Sequence, residues 1–310
     1  MLQLRVVARQ LQGDVALLTL KRPEGGELPP FSAGAHLDLH LGNDLVRPYS
    51  LCGDPADRDR YQLGILKAPQ SQGGSLAAHA LQPGDEVWVG EPRNLFALDP
   101  TAGHSLLIGG GVGITPLLAM AAVLQASGRS FSLHYCARTR QQAAFAEALE
   151  ASPYANRVQM YFSDEQRLML APVLAEVPEN THVYVCGPAR LMAAVSEQAS
   201  ALGYRREQIH QECFGAEVVT QGTAFAVTIA SSGLRVQVEQ NQSIVEALAL
   251  AGLKIGVSCR QGVCGSCLTD VLAGEPDHRD SYLTDEEKAA NTLILPCCSR
   301  AKGPHLVLDL

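Results

Sequence analysis

The chain has 310 residues, which is long for one domain and sets an expectation of two or three compact units. A net charge of -8 and a pI near 5.6, without any basic block, argue against a nucleic-acid partner. Hydrophobic residues at 46% are ample for buried cores, and nine cysteines, an odd number, suggest no disulfide framework and favour a reducing, cytoplasmic compartment.

The opening stretch MLQLRVVARQ interrupts its apolar residues with charge, so no secretory segment is expected. Through residue 100, LQLRVVARQ, DVALLTLKR, HLDLHLG, YQLGILKA and DEVWVGEP read as short strands bounded by Gly, Pro, Asn or Asp. That spacing predicts a closed or nearly closed antiparallel β-barrel over 1–100. Arg47-Pro48-Tyr49-Ser50 stands on one strand, and Gly73-Gly74-Ser75 opens a short helix. An arginine and a glycine-rich helix start can hold a phosphate and a tyrosine can stack on a heterocycle. A solvated strand face with one buried aromatic is the plainer account of the same residues.

From residue 101 to 222 apolar strands alternate with Ala-rich helices, the pattern of a doubly wound α/β parallel sheet. Ser105 to Ser127 carries no charge and is long enough to span a bilayer, but Gly109, Gly110, Gly111, Gly113 and Pro116 break it into strand, turn and helix, so no membrane partner is expected. Small residues at Gly109 to Gly113 let a backbone approach a pyrophosphate, and the following helix start, with Thr115 as its cap and Pro116 in its first turn, offers N–H groups to an anion. A glycine turn that only joins strand to helix remains the alternative. A second turn, Cys186-Gly187-Pro188, would face the same crevice and strengthens a dinucleotide reading. Arg138 and Arg140, after the second strand, either meet a 2'-phosphate or are simply solvated. His36, His40, His134 and His182 lie in strand-like runs and read as structural.

The third unit, 223–310, begins with a hairpin turning at Ser232-Gly233 and a helix capped by Ser243. Cys259, Cys264, Cys267 and Cys297 then follow the spacing C-x4-C-x2-C-x29-C, which suits a plant-type [2Fe-2S] cluster. A structural zinc site, in a non-catalytic or redox-sensing module, is the competing reading, although zinc knuckles normally come as two C-x2-C pairs. Cys297 and Cys298 are adjacent, and on an extended segment only one can face the cluster. Asp277-His278-Arg279-Asp280 reads as a solvated loop, and Thr284 to Glu287 as a capping box.

Arg47-x-Tyr49-Ser50, Gly73-Gly74-Ser75, Gly109 to Pro116, Cys186-Gly187-Pro188 and the cysteine loop occur in an order that resembles the phthalate dioxygenase reductase family over essentially the whole chain. Asp277 to Asp280, Cys297 to Arg300 and the final LVLDL look like vanillate demethylase reductases in particular. The resemblance implies a ferredoxin-reductase-type flavoprotein with a C-terminal β-grasp ferredoxin domain. It implies FMN held by Arg47 and Gly73 to Ser75, with Tyr49 on the flavin, Ser50 near its reactive nitrogen and Ile65, Leu66 and Lys67 on a bordering strand. Thr115 would lie close to both cofactors, and Phe214 would shield the flavin ring. Gln72 stands where the family usually has arginine, which puts one phosphate contact in doubt. Cys297, by the family pattern of cysteine, any residue, serine, arginine, is the fourth ligand and Cys298 a packing residue. The implied activity passes electrons from NADH through FMN to the cluster and on to a terminal oxygenase, of Rieske type. An acceptor of another kind, such as a haem monooxygenase, is the alternative.

Overall fold

The structure, a computed structural model, describes residues 1–42, 45–68, 71, 73–214, 221–257, 262, 265, 267–280 and 282–310. The chain divides into two compact units, Met1–Phe214 and Gly215–Leu310.

In the first unit, strands β1 (Leu2–Gln12), β2 (Val15–Lys21), β3 (Ala35–His40), β4 (Val46–Ser50), β5 (Tyr61–Leu66), β6 (Glu86–Val89) and β7 (Arg93–Asn94) form one antiparallel sheet, with helix α1 (Gly74–Ala80) between β5 and β6. Neighbours run β4-β3-β6-β1-β2-β5, with β7 beside β3. The two outer strands meet again through a bridge between Leu51 and Leu63, which closes the sheet as the strand spacing predicts. Alternate residues point inward, so Leu4, Val6, Leu18, Leu20, Leu37, Leu39, Leu63 and Ile65 share one dry interior.

The same unit continues as β8 (His104–Gly110), α2 (Ile114–Ala126), β9 (Phe131–Ala137), α3 (Ala146–Glu150), β10 (Val158–Phe162), α4 (Leu170–Ala175), β11 (Thr181–Cys186), α5 (Ala189–Ala201) and β12 (Ile209–Glu212). The strands are parallel in the order β10-β9-β8-β11-β12, so chain direction across the sheet reverses between β8 and β11. The long uncharged run resolves into β8, a tight turn and α2, and no described helix is long and apolar enough to cross a membrane. Helix α2 is apolar on nearly every face because its core includes barrel residues Val15, Ala33 and Cys52 as well as Leu107, Leu133 and Tyr184 of the parallel sheet. His36, His134 and His182 are buried, as structural histidines should be, and burial pushes His134 down to about 4.

In the second unit, β13 (Phe225–Ile229), β14 (Arg235–Val238), α6 (Ile244–Leu250), β15 (Thr269–Ala273), β16 (Pro276–Asp277), α7 (Asp285–Ala290), β17 (Leu293–Ile294), β18 (Arg300–Ala301) and β19 (His305–Leu308) build a grasp fold. Its sheet runs β14-β13-β19-β15-β17, parallel only between β13 and β19, and α6 lays Ile244, Ala247 and Leu248 against it. The expected caps are present: Ser243 with Glu246, and Thr284 with Glu287, each form a capping box. Arg300 is fully buried, yet its guanidinium donates to the carbonyls of Gln242, Thr223 and Glu239 and lies over the Phe225 ring.

The barrel and the parallel sheet touch at Gly64 of β5. A Cβ there would lie 2.7 Å from Thr115 Cγ2 and 2.8 Å from Phe145 Cζ. Gly64→Ala is therefore expected to cost about 1–3 kcal/mol through overpacking. The single tryptophan, Trp88 of β6, reports on this unit, so its fluorescence midpoint in urea should fall while the wild-type signal amplitude is retained.

Candidate functional site

Two glycine turns meet where the parallel sheet reverses. Gly109 of β8 pairs with Cys186 of β11, so the loops that leave these strands emerge side by side. A Cβ on Gly110 would come 2.8 Å from Pro188 Cδ, and one on Gly113 would run into the carbonyl of Cys186. Only bare backbone permits this approach, and it merges Gly110, Gly111 and Gly113 with Cys186, Gly187 and Pro188 into one surface at the carboxyl ends of the strands. Gly111, Val112 and Gly187 are half-buried and Pro188 is exposed, whereas the Cys186 side chain is enclosed. Burial, with the Glu212 carboxylate beside it, pushes the Cys186 thiol well up, so it stays neutral.

Pro116 lies in the first turn of α2, as expected. Thr115 does not cap that helix. A 3-10 turn over Gly111–Gly113 brings the helical backbone in earlier, Gly113 occupies the N-cap position, and the Thr115 hydroxyl donates to Val112 O at 2.9 Å.

The barrel presents β4, β5 and α1. The Arg47 stem crosses the start of α1, where a Cβ on Gly74 would lie 2.6 Å from Arg47 Cγ. Gly73 has a left-handed φ of 94°, and the Ser75 hydroxyl bonds to Ser71 Oγ at 2.9 Å and accepts from Ala68 N. Burial, partly offset by Arg47, pushes the Tyr49 phenol up to about 12. Ile65 is buried, while Leu66 and Lys67 are exposed beyond it. Gln72 lies outside the described residues.

The barrel edge and the nucleotide sheet share one polar contact here, in which the Ser50 hydroxyl donates to Glu212 Oε2 at 3.0 Å. Glu212 ends β12, pairs in register with Cys186, and precedes Phe214 by two residues. Burial pushes its carboxyl up to about 7, against the opposing effect of the Ser50 hydrogen bond. Phe214 itself is 37% exposed, an uncovered ring at the end of this unit. Nothing local in the sequence marks Glu212 beyond its place two residues before Phe214, since its partner Ser50 is distant in the chain.

In the second unit, Cys267 and Cys297 are buried in a small cluster with Val245, Leu283, Leu295 and Cys298. Their thiols are within hydrogen-bonding reach of each other, and that contact, followed by the one with Cys298 and by burial, pushes Cys297 far up. Metal cations in place of the protons would relieve this crowding, so Cys267 and Cys297, the two described donors, suit a thiolate-bound cluster. Cys259 and Cys264 lie outside the described residues. The alternation argument for choosing Cys297 does not hold, because Cys297-Cys298 sits in a turn in which Cys298 N and Ser299 N both donate to Leu295 O. What separates them is packing: a Cβ on Gly262 would collide with Cys298 Sγ, so that sulfur is pressed against the backbone of the cysteine loop.

Residues 107–197 match the oxidoreductase NAD-binding domain family, and residues 227–302 the 2Fe-2S iron-sulfur cluster binding domain family. The chain is 46% identical to a vanillate O-demethylase oxidoreductase of Pseudomonas sp., over 99% of this chain and 98% of that one. It is 43% identical to the phenoxybenzoate dioxygenase subunit beta of Ectopseudomonas oleovorans, over 96% and 93%. The solved structure of phthalate dioxygenase reductase, described as modular for electron transfer from pyridine nucleotides to [2Fe-2S], superposes with a TM-score of 0.79 at 37% identity, over 100% of this chain and 98% of that one. The chain belongs to the phthalate dioxygenase reductase family.

Membership makes it an oxidoreductase with an antiparallel flavin-type barrel, a parallel NAD-binding sheet and a ferredoxin domain. The zinc alternative falls with the match of 227–302 to a cluster-binding domain. Two expectations follow from the geometry. The carboxyl of Glu212 binds a proton more tightly folded than unfolded, so the folded state gains protons relative to the unfolded one between the ordinary carboxylate pKa and about 7, and stability falls as pH rises through that window. Glu212→Gln cannot ionise, so above pH 7 it should be more stable than wild type by an amount on the order of 2–3 kcal/mol, read as a higher thermal midpoint, with little difference near pH 5. For the cluster, Cys297→Ser should lose most bound iron and acid-labile sulfide, whereas Cys298→Ser should retain them; the reverse pattern would make Cys298 the ligand.

Proposed function

We propose that this chain is an FMN-containing, NADH-dependent reductase that delivers single electrons to a Rieske-type non-haem iron oxygenase. The observation that carries the reading is the contact between Ser50 on the barrel edge and Glu212 at the switch point of the NAD-binding sheet, which sets a flavin-binding edge against a nucleotide crevice inside one compact unit. When bound, NADH supplies a hydride, FMN exchanges electrons in twos or ones, and the [2Fe-2S] cluster carries one at a time.

The protein's part is positioning. Arg47 and the turn Gly73 to Ser75 hold the FMN phosphate, Tyr49 packs on the ring, and Ile65, Leu66 and Lys67 border it. Ser50, whose hydroxyl donates to Glu212, would lie near the reactive nitrogen of the flavin. Gly110, Gly111, Gly113, Thr115, Pro116, Cys186, Gly187 and Pro188 receive the dinucleotide, with Thr115 next to β5. Phe214, exposed at the end of this unit, would shield the flavin ring. Cys259, Cys264, Cys267 and Cys297 ligate the cluster. The functional parts are 1–100 for FMN, 101–222 for NADH and 223–310 for the cluster.

Preference for NADH is supported by Arg140, whose guanidinium is engaged by both carboxylate oxygens of Glu150 at 2.7 Å and is not a free cation for a 2'-phosphate. The oxygenase partner is supported by relatives named as parts of O-demethylase and dioxygenase systems, and a cytoplasmic setting by the cysteine usage.

Anaerobic titration of FMN-supplemented protein with NADH should bleach the flavin and iron-sulfur absorbance together, and NADPH should do so at least tenfold less efficiently. Flavin reduction that leaves an intact cluster oxidised would break the relay.

A further inference from the structure

The Asp277-His278-Arg279-Asp280 segment has the composition of a solvated loop, and the structure buries it. The Asp280 side chain is 0% exposed and that of His278 8%. Three separate pieces of the cluster region converge on Asp280. Its Oδ1 accepts from the hydroxyl of Ser299 at 3.3 Å, and Ser299 in turn accepts from Arg279 N, so the turn carrying Cys297 and Cys298 is tied to this segment. Its Oδ2 accepts from Tyr282 N at 3.2 Å and Leu283 N at 2.8 Å, which fixes Tyr282, and a Cβ on Gly265 would collide with that ring. Its own Cα and Cβ form the seat of Gly262, each 3.0 Å from where a Cβ would stand. Gly262 and Gly265 both have left-handed φ, 72° and 71°; the first sits against Asp280 itself and the second against the ring of Tyr282, whose backbone N–H donates to Asp280.

The charged neighbours are few. Lys288 Nζ donates to the Asp280 carbonyl at 2.7 Å and lies 3.9 Å from Oδ2. His278 Nδ1 lies 3.7 Å from Oδ1, and neither ring nitrogen has a hydrogen-bond partner among the described residues. A carboxylate enclosed this fully beside the cysteine segments acts on a bound core through its net charge and, by way of Ser299 and Tyr282, through the shape of the segments that carry the ligands.

We infer that Asp280 is a positioning residue for the [2Fe-2S] cluster: it holds the cysteine loop and the Cys297 turn in one arrangement, and its buried charge keeps the cluster a low-potential donor. The inference rests on the ligand set proposed above, which the Cys297→Ser iron analysis tests separately.

The test uses the full-length holoprotein and reads iron and sulfide retention against a chelator, and the cluster midpoint potential by anaerobic titration followed by electron paramagnetic resonance. Asp280→Asn preserves shape, because the Ser299 hydroxyl can turn to accept from an amide. It should raise the reduced-to-oxidised ratio at a fixed ambient potential three- to tenfold, the upper figure being about 59 mV for one electron. Ser299→Ala keeps the charge and cuts one tie, so it should release iron several-fold faster with its potential unchanged. Asp277→Asn, on the same segment but paired with Arg279, should change neither. An Asp280→Asn protein with wild-type potential overturns the electrostatic role, and a Ser299→Ala protein with wild-type iron retention overturns the positioning role. If Asp280→Asn retains no cluster, Ser299→Ala alone decides the positioning role and the charge-preserving Asp280→Glu supplies the potential, which overturns the electrostatic role if it moves as far as the loss of charge requires.

Discussion

Helix α2 is enclosed on one side by the barrel and on the other by the parallel sheet, and this shared apolar core constrains everything in the first unit. With hydrophobic burial at about 25 cal/mol per Å2, a helix apolar on all faces has no stable place except between two layers. The barrel therefore cannot shift on the sheet without exposing α2. Gly64 is the local consequence, since β5 must pass over Thr115 and Phe145 with no side chain of its own. The edge formed by β4 and β5 is in this way fixed against the crevice where β8 and β11 diverge, and two sites built on different sheets acquire a set spacing.

A seam that dry constrains its polar groups too. Glu212 lies at its margin with the Ser50 hydroxyl as partner, and burial favours the protonated acid until pH approaches 7. Burial likewise keeps the Cys186 thiol and the Tyr49 phenol neutral. In a chain with a net charge of -8, this matters for an anionic dinucleotide, because the groups nearest the crevice add little repulsion of their own. Exposed pairs such as Lys21 with Asp59 and Arg5 with Glu86 are neutral as pairs and screened by solvent, so they add little to the field at the crevice.

Much of this was legible in the sequence because its cause is local. Strand alternation, the breakers in the uncharged run, the capping boxes at Ser243 and Thr284 and the cysteine spacing each depend on residues close in the chain. Gly110, Gly113 and Gly187 were also readable, since few residues other than glycine tolerate such backbone contact. What escaped depends on distant partners or on local geometry that residue types do not specify. Glu212 acquires its meaning from Ser50, 162 positions away. His278 and Asp280 have the composition of a loop, and only the packing of Gly262 and Ser299 against them shows that they are interior. The rule that neighbouring side chains alternate failed at Cys297-Cys298 because the chain turns there, and Thr115 lost its capping role to the 3-10 turn before it.

The second unit separates folding from metal binding. Its grasp core, built on Phe225, Val227, Ile229, Ile244, Leu248, Leu306 and Leu308, contains no cysteine, while Cys267, Cys297 and Cys298 belong to a smaller packing group of their own. Helix α6 joins the two, with Ile244, Ala247 and Leu248 in the sheet core and Val245 among the cysteines. The sheet can thus assemble on apolar burial, and the free energy of metal binding falls on the cysteine segments beside it, where Gly262 and Gly265 have left-handed φ and pack against Asp280 and Tyr282. Cys267 and Cys297 thus sit apart from the apolar core that carries the sheet. That arrangement limits the structural change accompanying each electron to the packing around Cys267 and Cys297, because the sheet is anchored by apolar contacts in which neither takes part.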